Sequence, residues 1–139
     1  MSDGIDPIDD EELLYRRVPA STGWYDSASG EIDELAFQPN KTVDVTGLSF
    51  AREKYKTIEE AARGRPGKSY FVAVFRAGAL RTSGINIEPR PNTPDGFDPA
   101  HAELPQLNAA SRGTNQCLDR QRVLAKELCL RVEGPFVTS

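Results

Sequence analysis

A chain of 139 residues has room for one domain with a substantial hydrophobic core. Its 38% hydrophobic and 27% charged content is globular, and ten prolines with eleven glycines argue for short elements and turns rather than a helical bundle. The net charge of −4 is uneven: the first twelve residues hold six acids and no base, leaving 15 acids against 17 bases elsewhere, so the body is about neutral and the acidity belongs to a leader. No apolar run approaches a membrane span, and no charged-then-apolar signal pattern opens the chain. A cytoplasmic, reduced protein is expected. Two cysteines, Cys117 and Cys129, and one histidine, His101, do not supply the four closely spaced ligands of a structural zinc site. No metal is expected, and a disulfide is not favoured because both cysteines read as small core residues.

In chain order, residues 1–10 read as a flexible acidic leader and residues 11–139 as a single domain. Leu13 to Val18 (LLYRRV) has the content of a strand stopped by Pro19, with Tyr15 and Arg17 on one face and Leu14 and Arg16 on the other. An inward guanidinium is unusual unless paired or bound to an anion. Thr22 to Gly30 is turn-rich, and its Trp24 and Tyr25 cap a core more readily than they stack a ligand. Glu31 to Phe37 fits helix and strand equally. Thr42 to Phe50 carries enough β-branched residues for a strand that Gly47 bends. Ala51 to Tyr55 fits a helical turn. Thr57 and Glu60 form a capping box that starts a helix from Ile58 to about Arg63, closed by Gly64 with Pro66 beyond. Gly64-Arg65-Pro66-Gly67-Lys68 is a basic turn that precedes a strand and so does not match a P-loop.

Ser69 to Ala77 reads as a central strand, apolar without a break from Tyr70 to Phe75, with Ala79 and Leu80 across its end. Ile85 to Ile87 is expected as a short strand, Asn92 to Pro99 as a loop around a Pro-Asp-Gly turn, and Ala100 to Leu107 as a short strand with His101 and Glu103 on one face. A helix from Asn115 to Leu128 follows. Cys129 to Val132 is a last strand before Gly134-Pro135. These elements predict an α+β domain with a mixed, mostly antiparallel central sheet and two or three helices.

The residues able to carry chemistry are Arg16 or Arg17, Ser49, His101 and Glu103. Each has an ordinary structural alternative: an edge-strand charge, a strand-end hydroxyl bonding backbone, a satisfied core or surface histidine, an exposed strand glutamate. Their order resembles the compact ADP-ribosyltransferase-like domains of bacterial toxins and related small proteins. Leu14-Tyr15-Arg16 matches the opening strand of that family. Gly47-Leu48-Ser49-Phe50 matches its glycine-aliphatic-serine strand before a helix, and Ala102-Glu103-Leu104-Pro105 matches the late strand that delivers its glutamate.

The resemblance implies NAD as substrate, with Arg16 gripping the pyrophosphate or ribose and Tyr15 beside it on the same strand. Glu103 would stabilise the oxocarbenium-like ribose that develops as nicotinamide leaves. Ser49 would brace the arginine or the ribose, and His101 would orient Glu103. Two positions depart from the family pattern. His101 stands where many transferases have an acid or glutamine, and one serine, Ser49, replaces a Ser-Thr-Ser triplet. A hydrolase and an inactive relative therefore stay open. Two readings of other classes stand beside this one. The first is a toxin-system or immunity interaction protein whose acidic leader docks a basic protein partner. The second is a small RNA-acting toxin using His101 with Arg90 or Arg112, against which no basic stripe with interleaved aromatics is visible. Neither a membrane nor a nucleic acid is the expected partner.

Overall fold

The computed structural model describes residues 6–139. Its strands are β1 (Leu13–Pro19), β2 (Tyr25–Asp26), β3 (Glu31–Ile32), β4 (Leu48–Arg52), β5 (Ser69–Arg76), β6 (Glu88–Pro89), β7 (Asn92–Thr93), β8 (Gly96–Phe97), β9 (His101–Leu104) and β10 (Arg131–Val137). Its helices are α1 (Ile58–Ala61), α2 (Ala77–Thr82) and α3 (Asn115–Val123), the last continuing as a π-turn over Leu124–Leu128. Six strands form one sheet in the order β10-β5-β1-β4-β9-β6, and every adjacent pair in it is antiparallel. The domain is α+β, as its sequence predicts.

One face of the sheet (Leu14, Val18, Leu48, Phe50, Ala73, Phe75, Ala102 and Leu104) carries the main core, closed by α2, α3 and the 3-10 turn Glu34–Phe37. The other face carries a smaller cluster of Tyr15, Val72 and Val74 under α1. The local signals that build this face hold as expected. Thr57 Oγ1 accepts from the Glu60 amide at 3.1 Å while Glu60 Oε1 accepts from the Thr57 amide at 3.0 Å, and β5 covers the unbroken apolar run.

Several boundaries differ, each for a physical reason. The expected strand Thr42 to Phe50 begins at Leu48, because side chains claim the backbone before it. Asn40 Oδ1 accepts from the amides of Thr42 and Val43, and Asp44 Oδ2 accepts from the Asn40 amide at 2.7 Å. These local bonds override β-branched propensity. Ala51 and Arg52 belong to β4 rather than to a helical turn, which forms after them through Tyr55 and Lys56 amides donating to the Arg52 carbonyl. Ala79 and Leu80 lie in α2, not at a strand end. Ile85 to Ile87 is not a strand: the Ile85 amide donates back to Leu80, both isoleucines are buried, and pairing with β9 starts at Glu88. β10 runs through Gly134-Pro135 with a register shift between Glu133 and Phe136. A proline is tolerated there because the strand lies at the sheet edge.

The leader expected over residues 1–10 is packed where it is described, while residues 1–5 lie outside the described residues. Ile8 is 4% exposed. Arg52, fully buried on β4, donates to Glu12 Oε1 and Oε2 at 2.8 and 2.9 Å, to the Asp6 carbonyl at 2.7 Å and to the Pro7 carbonyl at 3.2 Å. Burying a guanidinium is tolerable because its donors are met in this way. Deleting residues 2–10 should therefore cost at least about 2 kcal/mol, the lower end for emptying a buried isoleucine site, with Arg52 losing acceptors as well. Denaturant unfolding of the truncated chain checks this, and an unchanged midpoint would refute it.

Candidate functional site

The site follows from a split in the sheet. β1 pairs with β5 along seven residues, from Leu13 opposite Arg76 to Pro19 opposite Tyr70. Its ladder with β4 contains only Leu14 opposite Arg52 and Tyr15 opposite Ala51. Beyond that point the strands part, while β4 stays paired with β9 from Leu48 to Ala51. The Arg52 amide donates toward β9, to the Ala100 carbonyl, so by alternation the backbone of Ser49 points toward the missing β1.

Side chains replace that strand. The Ser49 amide donates to Asp44 Oδ1 at 3.2 Å, and the Ser49 carbonyl accepts from Arg16 Nη1 at 3.1 Å. Arg16 Nε donates to the Ala36 carbonyl at 3.2 Å, and Nη1 lies 4.0 Å from Asp44 Oδ1. Asp44 is 2% exposed and also accepts from the Ser49 hydroxyl at 3.1 Å. Burial pulls the Arg16 pKa below its ordinary value, and the Asp44 charge opposes that shift.

Across β4, Ser49 stands opposite Glu103 and Ala51 opposite His101. His101 Nε2 lies 2.9 Å from Glu103 Oε2, and Thr46 Oγ1 donates to Glu103 Oε1 at 2.6 Å. The two side chains are in contact, as their shared strand face predicts. The His101 side chain is 21% exposed and lines the cleft, whereas Glu103, at 10%, sits behind it and is not part of the cleft wall. With Nε2 directed at the carboxylate, Nδ1 is the ring nitrogen left for a ligand. Gly47 lets the chain pass this carboxylate: a Cβ there would lie 2.8 Å from the Leu104 carbonyl oxygen and 3.0 Å from Glu103 Cβ.

Arg16, Ser49, His101 and Tyr15 line one cleft of about 1350 Å³ that the split opens. By strand register Arg16 sits on the core face with Leu14, and its guanidinium reaches the cleft through the gap, while Ser49 and Glu103 sit on the opposite face. Arg16, Asp44 and Ser49 thus form one bonded group, and Glu103, His101 and Thr46 another. Tyr15 is 7% exposed, and burial, followed by the charge of Glu53, pushes its phenol above the ordinary pKa. Arg112 joins the cleft from beside Gln38, whereas Arg90 pairs with Glu88 outside it.

Two contributors lay outside the sequence reading: Asp44 and Thr46, both placed in the expected strand Thr42 to Phe50. The signal that would have found Asp44 is the Asn40-to-Asp44 spacing, which offers side-chain acceptors to a turn. The cleft is also basic. Among the described residues seven Lys and Arg side chains line it against two aspartates, Asp44 and Asp98, with Tyr15, Trp24 and Tyr70 among them.

Gly47→Ala should destabilise the fold by about 1–3 kcal/mol, because the atoms it meets are backbone and a buried Cβ that cannot swing away. Chemical denaturation measures this, and a cost below about 0.5 kcal/mol would mean that the approach is looser than described. No protein-family model, no curated protein and no solved structure matches this chain.

Proposed function

We propose that the basic cleft binds a pyrophosphate-bearing nucleotide, NAD, and that the protein is an ADP-ribosyltransferase-like enzyme or NAD glycohydrolase. The observation that carries this reading is that Arg16, Ser49 and His101 all line one cleft with a large excess of cations. Such a cleft lowers the free energy of a pyrophosphate, and its half-buried Trp24 offers a face to a base, Tyr15 and Tyr70 being buried. In the reaction, the ribose C1′–nicotinamide nitrogen bond breaks, nicotinamide leaves with the electron pair, and an oxygen of water or of an acceptor hydroxyl bonds to C1′. The proton of that oxygen passes to His101 Nδ1.

In this arrangement Glu103 is a positioning residue, holding the ring through Nε2 while Thr46 holds its other oxygen. That differs from the role the family resemblance implies, in which the glutamate itself touches the ribose.

A second reading is favoured by one observation. The sequence shows no basic stripe with interleaved aromatics, yet folding assembles seven cations and the half-buried Trp24 into one open cleft. Single-stranded RNA fits that chemistry, with His101 as the acid-base group. A docking role for the leader would have to compete with pairs within the chain: of the six acids in residues 1–12, Asp6 pairs with Lys54, Asp10 with Arg81, Glu11 with Arg76 and Glu12 with Arg52.

Calorimetric titration with NAD, followed by an assay of nicotinamide release, tests the proposal. Wild type should bind, and His101→Gln should lose release by about a hundredfold or more while its NAD affinity changes little. Absence of NAD binding at millimolar concentration, or release that survives His101→Gln, would overturn it. Cleavage of a labelled single-stranded RNA lost in the same variant would instead establish the second reading.

A further inference from the structure

The cations of this chain divide into two groups. Of 17 Lys and Arg, nine pair with an Asp or Glu among the described residues. Eight have no such partner, and five of those eight line the cleft: Arg17, Arg63, Arg65, Lys68 and Arg112. Four of the five belong to one end, where β1 meets the turn between α1 and β5.

That end is built around Tyr70. The Arg17 guanidinium lies over its ring, 5.0 Å from the centroid, and also donates to the Arg63 carbonyl. The Tyr70 hydroxyl accepts from the Arg65 amide at 2.9 Å. Gly64 lies flat on the ring, since a Cβ there would come within 2.3 Å of it. Thr138 closes the turn from the other side, its hydroxyl accepting from Gly64 and its carbonyl from Gly67. The Lys68 amide returns to the Arg65 carbonyl. The four turn amides are therefore all engaged internally, and an anion at this place would be held by side chains rather than by a backbone nest. The backbone is fixed while the side chains of Arg17, Arg63, Arg65 and Lys68 stay exposed. Uncompensated like charges repel one another, and a bound dianion relieves that cost.

We infer that this end of the cleft is a subsite for a phosphate monoester, so that the preferred nucleotide carries a phosphate beyond the pyrophosphate of NAD, as a 2′-phosphorylated dinucleotide does. The inference deepens the nucleotide reading and rests on it for the rest of the ligand. The pyrophosphate belongs with Arg16 and Arg112, and the extra monoester with Arg17, Arg63, Arg65 and Lys68.

The test compares two ligand pairs, NADP against NAD and adenosine 2′,5′-bisphosphate against 5′-AMP, on wild type and on the double variant Arg65→Ala/Lys68→Ala. Both substituted side chains are exposed, and the turn's backbone bonds do not depend on them, so the variant should remain folded. In wild type the added phosphate should tighten binding about tenfold, near the low end for a single charge-assisted hydrogen bond. The gain should shrink as salt is raised. In the variant the gain from the added phosphate should fall to within about twofold. If neither dinucleotide binds but the bisphosphate keeps its advantage over AMP and loses it in the variant, the subsite stands and the NAD reading falls. If the added phosphate brings no gain in wild type, or the gain survives in the variant, the inference is overturned whatever NAD does.

Discussion

The Arg16–Asp44 pair stands where a strand is missing. The ladder between β1 and β4 stops after two residue pairs, which would leave the amide and carbonyl of Ser49 without partners at the edge of the core. A buried backbone group without a partner costs about 1–3 kcal/mol. Here the carboxylate of Asp44 meets the amide and the guanidinium of Arg16 meets the carbonyl, so two side chains from separate segments act as the missing stretch of strand. A buried ion pair by itself argues little for stability. This pair matters because of the backbone groups it satisfies.

The rest of the site depends on that substitution. Because the strands part, the sheet can hold an open cleft without losing its ladder on either side: β1 remains zipped to β5, and β4 to β9. The register of β4 on β9 then places Ser49 opposite Glu103, with His101 next along the same face, so Ser49 and His101 reach the cleft from the same side of the sheet. Arg52 does a comparable job at the other end of β4, where its buried charge draws residues 6–12 onto the body. Two arginines on core-facing positions of neighbouring strands thus serve the fold in the same way, each tying down chain that forms no ladder.

How much of this was legible varied with the range of the interactions. The α1 capping box, the apolar run of β5 and the shared face of His101 and Glu103 rest on spacings of two to four residues or on an unbroken local pattern, and sequence reveals these directly. Arg16 was recognisable as an inward guanidinium in need of a partner, but the partner was not, since Asp44 sits among β-branched residues that favour a strand. The turn that presents it is held by Asn40 and Asp44 side chains taking backbone amides, bonds that composition does not rank against propensity. The basic turn at Gly64 to Lys68 was visible as charge. Its link to the cleft was not, because that link depends on how Arg17 on β1 lies over Tyr70 on β5.

A double-mutant cycle on Arg16 and Asp44 tests this account most directly, using Arg16→Met, Asp44→Asn and the combined variant in equilibrium denaturation. If the two side chains act as one unit at Ser49, each single change should be strongly destabilising and the pair should be coupled by at least about 1 kcal/mol. Strictly additive effects would show that Arg16 and Asp44 hold the split independently, and would contradict the central claim.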